Sequence, residues 1–202
     1  MGICEYVYAE YNIENGQSWK VTVKNEFRRG QTRVSHLKSV QIYININGVD
    51  YKIQLFGKNK FKVNDVVMET PFNLGGLAIE SLGRIGLTAN MPELNFYLTY
   101  SNNHVIDLRL GENYKNRLTG MCGNYNDDQA DDHQDDDGND LNQKDHGNRY
   151  LIGDATTPGC VVENDYVAPP AQNFDCKLRV RRIKTRQRRV AICVLAQTTV
   201  PY

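Results

Sequence analysis

With 202 residues, 40% of them hydrophobic, the chain can bury one substantial core, and no run in it approaches the roughly 18 consecutive apolar residues that mark a membrane-spanning helix. Its 24 cationic and 24 acidic residues cancel, but unevenly: residues 127–145 carry nine Asp against one Lys, and residues 177–189 carry eight Lys or Arg and no acid. Neutrality therefore excludes no charged partner, and the opening MGICEYVYAE, which lacks a basic and an apolar segment, is not a secretory leader.

From Gln17 to Leu110 the apolar period is two. WKVTVK sets Trp19, Val21 and Val23 against Lys20, Thr22 and Lys24, and VQIYINI does the same with Val40, Ile42, Ile44 and Ile46, so both read as half-buried strands. Asn47-Gly48 supplies the two positive φ angles of a type I′ turn, and YKIQL returns with Tyr51, Ile53 and Leu55, which predicts a hairpin over 40–55. LNFYLTY and VIDLRL, joined at Asn102-Asn103, predict a second hairpin, and further strands are expected near Phe61–Val67 and Ile79–Leu87. Many short antiparallel strands imply an all-β, sandwich-like domain.

After Leu110 the alternation stops. Residues 111–150 are rich in Gly, Asn and Asp and read as loop. Pro169-Pro170 lies in a stiff linker, residues 164–175, between a main domain at 1–163 and a tail at 176–202, where Val180, Ile183, Val190 and Val194 predict an amphipathic helix. The five cysteines (Cys4, Cys122, Cys160, Cys176 and Cys193) fit no zinc knuckle or paired C-x-x-C spacing; long-range disulfides with one sulfur left over fit better.

GMCGNYNDDQADD, residues 120–132, is the chemically suggestive stretch. Calcium takes six to eight oxygens from carboxylates, amides, backbone carbonyls and water. Asn124, Asn126, Asp131 and Asp132 offer four side-chain ligands, and Asp128 offers its backbone carbonyl. An EF-hand is excluded, because the twelfth position counted from Asp135 is His146 where the bidentate Glu should stand. Composition alone leaves a solvated acidic loop as the alternative.

LTGMCGNYNDDQADD resembles the signature of the von Willebrand factor type D domain, a Gly-Leu-Cys-Gly-Asn-aromatic-Asn/Asp core followed by a pair of acids. The resemblance continues through Asp137-Gly138, HGNRYLIGD at 146–154 and Cys160, and upstream through CEYVYAEY at 4–11 and the 40–55 hairpin. It implies a Ca2+ site on Asn124, Asn126, Asp131 and Asp132 with the Asp128 carbonyl, and a disulfide between Cys4 and Cys160. It also implies a partner for Cys122 upstream of this sequence, where the family has a further Asp in an F-D-G motif; without that Asp, calcium binding is expected to be weaker. Asp127 stands where family members usually have Gly, so a left-handed residue is expected there at some cost. Positions near Tyr11 and at Thr119, bridged in the family, both lack Cys.

The resemblance further implies a non-enzymatic, secreted module of a matrix, mucin-like or bone-morphogenetic-protein-regulating glycoprotein. Partners would be extracellular proteins, including such growth factors, and sulfated glycosaminoglycans. His36, His104, His133 and His146 are scattered without a recognisable nucleophile partner, which disfavours a hydrolytic triad, and no phosphate-binding glycine loop is present. The tail cations Lys177, Arg179, Arg181, Arg182, Lys184, Arg186, Arg188 and Arg189 could hold heparan sulfate or, in an intracellular alternative, nucleic acid. The spacing of Cys176 and Cys193 resembles the first helix of the cysteine-rich module that follows D domains, most closely in crossveinless and kielin/chordin-like regulators. Vitellogenin-like lipid carriers also use the D domain and form a further alternative.

Overall fold

A computed structural model of the chain describes residues 3–12, 18–28, 31–135, 137–154, 156–158 and 160, all within the compact unit Met1–Val162. The linker, the basic tail and Cys176 and Cys193 lie outside the described residues. In chain order the strands are β1 (Glu5–Tyr11), β2 (Trp19–Arg28), β3 (Gln31–Ile46), β4 (Val49–Phe56), β5 (Lys60–Val63) and β6 (Val66–Met68). They continue with β7 (Phe72–Leu74), β8 (Leu77–Ser81), β9 (Gly86–Met91), β10 (Phe96–Ser101), β11 (Ile106–Leu110) and β12 (Leu151–Ile152), and among the described residues the α-helix α1 (Gln143–Arg149) precedes β12.

The strands form two antiparallel sheets. One has seven strands in the order β12-β1-β2-β3-β4-β5-β6, and the other has five in the order β11-β10-β9-β8-β7. The expected hairpin is present: β3 and β4 pair Val40 with Leu55 and Ile42 with Ile53, and Asn47 (φ 54°) and Gly48 (φ 82°) make the left-handed turn. Val21, Val23, Val40, Ile42, Ile44, Ile53 and Leu55 are buried on one face, as the alternation requires. On the opposite face Thr22 donates to Glu5 Oε1 (2.5 Å) and Tyr43 to Gln41 Oε1 (2.9 Å).

Trp19 anchors the core between the sheets. Its ring meets Phe96 of the five-stranded sheet at 5.2 Å and Tyr114 at 5.4 Å, and Tyr114 meets Tyr11 edge-on at 4.7 Å. Each such aromatic pair adds about 0.5–1.5 kcal/mol beyond the area it buries. Tyr100 donates to the Lys38 carbonyl (2.8 Å), a second tie from β10 to β3.

Two segments expected as single strands each divide into a pair. The chain turns at Asn64 (φ 46°) and Asp65 (φ 65°) between β5 and β6, and at residues 82–85 between β8 and β9. Val66 extends the apolar composition across the first turn, which hides it from a reading of periodicity, while Gly83 and Gly86 mark the second in the sequence as a strand-connecting turn. The stretch read as loop also contains α1, whose first turn is capped where Asn142 Oδ1 accepts from the Asp145 N–H (3.0 Å).

Candidate metal centre

Strand β1 is the platform for the loop. Glu10 exchanges backbone hydrogen bonds with Thr119 (2.7 and 3.0 Å), the Met121 N–H donates to the Val7 carbonyl, and the Cys122 N–H donates to the Tyr8 carbonyl (both 3.2 Å). Such a close approach requires glycine at 120: it has φ 131°, and a Cβ there would stand 2.7 Å from the Tyr8 carbonyl oxygen. Gly123 (φ 79°) is constrained similarly, because the space a Cβ would fill is taken by the Asp132 carboxylate.

Beyond Gly123 the short polar side chains organise their own backbone. Asn124 Oδ1 accepts from the Asn126 N–H (3.0 Å), Asn126 Oδ1 from the Asp128 N–H (2.7 Å), and Asp128 Oδ1 from the Ala130 N–H (2.9 Å). Three successive side-chain-to-backbone turns of this kind curl the chain tightly. Tyr125 (φ 60°) and Asp127 (φ 69°) are left-handed, the conformation expected at 127, and Asp127 pairs with Lys115.

The curl aims two amides at one carboxylate. Asn124 Nδ2 and Asn126 Nδ2 both donate to Asp131 Oδ2, at 3.2 and 2.6 Å. Asp131 Oδ1 is buried and has no hydrogen-bond partner. A buried acceptor left this way costs about 1–3 kcal/mol, more when charged, a cost that a bound cation would offset. Asn124, Asn126 and Asp131 are therefore brought together, Asp132 is held against Gly123, and the Asp128 side chain serves the turn rather than the cluster. Among the described residues no three His, Cys, Asp or Glu side chains gather as a metal site. The candidate donor set is instead two carboxylates and two amides, whose oxygens Asn124 Oδ1 and Asn126 Oδ1 here accept from backbone N–H groups; hard oxygens of this kind suit calcium and not a soft transition metal.

One wall of the loop was not visible in the sequence. His133 and His146, read as separate surface groups, meet with ring centroids 4.5 Å apart, and Tyr150 packs on His146 at 5.3 Å. His146 is buried, its Nε2 lies 3.4 Å from the Met121 carbonyl and its Nδ1 has no partner. Burial holds its pKa below the usual histidine value, with His133 and Arg149 adding to the depression and the Met121 carbonyl opposing it. Protonation therefore favours the unfolded chain: the contribution of His146 to stability is intact above about pH 6.5 and is lost as the pH falls from there towards the folded value. Melting curves between about pH 7.5 and about pH 5.5 should show a steeper loss for the parent than for His146→Gln; equal slopes would contradict this.

The disulfide closes the domain. Cys4, buried beside β1, is bridged to Cys160 across a sequence separation of 156, with Cα atoms 4.3 Å apart. Glu5 pairs with Ile152 and Tyr6 with Leu151 next to it.

Comparison with known proteins agrees with this architecture. The family model for the von Willebrand factor type D domain matches residues 1–139, a range that includes the whole oxygen-rich loop. Zonadhesin of Mus musculus is 28% identical over 172 residues, covering 80% of this chain and 3% of that protein. Alpha-tectorin of Homo sapiens is 30% identical over 134 residues (65% and 6%), and the IgGFc-binding protein of Homo sapiens is 29% identical over 136 residues (65% and 2%). The chain thus spans a small fraction of the length of each of these relatives.

Proposed function

The chain belongs to the von Willebrand factor type D domain family, and on that premise we propose that it is a non-enzymatic, calcium-binding module of an extracellular multidomain glycoprotein. The observation that carries the metal reading is Asp131, whose carboxylate collects two amide donors on one oxygen and leaves the other buried without a partner. Bound calcium would supply charge that fixes the loop against β1; the chain's own residues shape and hold that loop. Asn124, Asn126, Asp131 and Asp132 would be the side-chain ligands, and Asp128 would contribute its carbonyl. Melting the protein with and without added calcium tests this, and no gain in melting temperature would count against it.

An extracellular setting is supported by the Cys4–Cys160 disulfide, since such bridges persist in oxidising compartments. The module would act by binding proteins. Growth factors of the bone morphogenetic class are the finer reading suggested by the spacing of Cys176 and Cys193.

Sulfated glycans are the second partner class, favoured by the cation density of residues 177–189. Retention on heparin should fall steeply with salt, because screening confines exposed charges to a reach of about 8 Å at physiological ionic strength. Replacing Arg181, Arg182, Arg188 and Arg189 by Gln should bring elution to much lower salt with the melting temperature nearly unchanged. Elution of that variant at the parent's position would remove the glycan role, and preference for duplex DNA at matched charge would favour an intracellular one.

A further inference from the structure

We propose that residues 57–59, 82–85 and 102–105 form a docking knuckle for a protein surface that presents an apolar hollow edged by carboxylates; this rests on the reading that the module works by binding proteins. The three segments join β4 to β5, β8 to β9 and β10 to β11, so they come from both sheets. Among the described residues six large apolar side chains are exposed, and three of them lie here: Leu82, Ile85 and Val105, at 37, 63 and 56% exposure. Exposed apolar residues scattered singly need no explanation, but these three stand on turns that hydrogen-bond to one another.

Two asparagines hold the turns together. Asn59 Nδ2 donates to Ser81 Oγ (3.0 Å) and to the Gly83 carbonyl, while Asn102 Nδ2 donates to Asn59 Oδ1 (3.0 Å) and to the Arg84 carbonyl (3.1 Å). The Lys58 N–H in turn donates to Asn102 Oδ1 (3.0 Å), and the Asn102 N–H to the Ile85 carbonyl (2.7 Å). Lys58, Asn59 and His104 are held left-handed, at φ 66°, 55° and 66°. Turn backbones fixed this way lose little freedom on docking, which helps a small patch to bind with useful affinity.

Charge and composition choose the occupant. Lys58 and Arg84 are exposed beside the aliphatic tips, and the three segments, GKN, LGRI and NNHV, contain no acid, so the complementary rim is anionic. They contain no Trp, Tyr or Phe either, the side chains that anchor proteins at a lipid interface, and this favours a protein hollow over a membrane.

The test is to pan a random peptide library displayed on phage against the folded chain with the eight cations of residues 177–189 replaced by Gln, so that the tail does not itself select acidic peptides. Enriched peptides should place Asp or Glu around an aliphatic or aromatic anchor. They should bind the triple variant Leu82→Ser, Ile85→Ser, Val105→Ser at least about tenfold more weakly. Panning on Lys58→Glu, Arg84→Glu should instead select basic flanks. Because all five side chains are exposed, both variants should keep the parent's melting temperature and its response to calcium, so a failure here is separate from a failure of the metal reading. Three results would overturn the proposal: selected peptides that bind parent and triple variant equally, binding of phosphatidylserine vesicles that the triple variant loses, or parent dimers in sedimentation that the triple variant abolishes.

Discussion

Replacing Cys4 and Cys160 together by Ser is expected to cost about 2–5 kcal/mol of stability, towards the upper end of that range, and to lower the melting temperature by about 10 °C. The bridge spans a sequence separation of 156, so on the chain-entropy account it removes more freedom from the unfolded chain than a short loop would. The folded state also depends on it. β12 contributes two residues to the seven-stranded sheet, and the helix before it carries His146 against the Met121 carbonyl. Releasing Cys160 therefore loosens a wall of the metal loop as well as a sheet edge, and the calcium response should weaken in the same variant. Urea unfolding of the parent and the double variant measures the first effect; coincident midpoints at equal slope would show that the packing of β1, α1 and β12 suffices without the bridge.

Asp131→Ala is expected to abolish the gain in melting temperature on adding calcium. A ligand present at about 100 times its Kd stabilises the folded state by about 2.7 kcal/mol, and that increment should vanish with the carboxylate on which the loop converges. Without calcium the substitution has two opposed effects. It strips Asn124 Nδ2 and Asn126 Nδ2 of their acceptor, and it removes a buried oxygen that has no partner. The net change without the metal should accordingly be small beside the change with it. Asp135→Ala is the control: its carboxylate accepts from the Asp137 and Asn139 N–H groups in the next turn and touches no member of the cluster, so the calcium response should persist. Loss of the response in both variants would point to general acidity of the segment rather than to a site.

The β-sheets were legible because they alternate. Wherever one face is buried and the other wet, as along Val40–Ile46 and Tyr51–Leu55, the period of two reports the fold directly, and Asn47-Gly48 announces its own turn. The turn at Asn64-Asp65 escaped because Val63, Val66 and Val67 keep the apolar composition on both sides of it, whereas Gly83 and Gly86 marked the turn before β9. The clustering of Asn124, Asn126 and Asp131 was legible for a different reason: they lie within eight consecutive residues, so order along the chain nearly equals proximity. What no spacing could reveal is direction. Which oxygen of Asp131 meets the amides and which is left alone depends on three local turns acting in concert. The packing of His133 against His146, and of His146 against a carbonyl 25 residues upstream, depends on how α1 docks. Such contacts belong to the folded chain and leave no periodic trace in the sequence.

Calorimetric titration of calcium into the chain is the most direct measurement of the central claim. A saturable heat for a single ion is predicted, lost when Asp131 and Asp132 are both replaced by Ala and accompanied in the parent by a rise in melting temperature. Absence of both heat and thermal gain in the parent would contradict it.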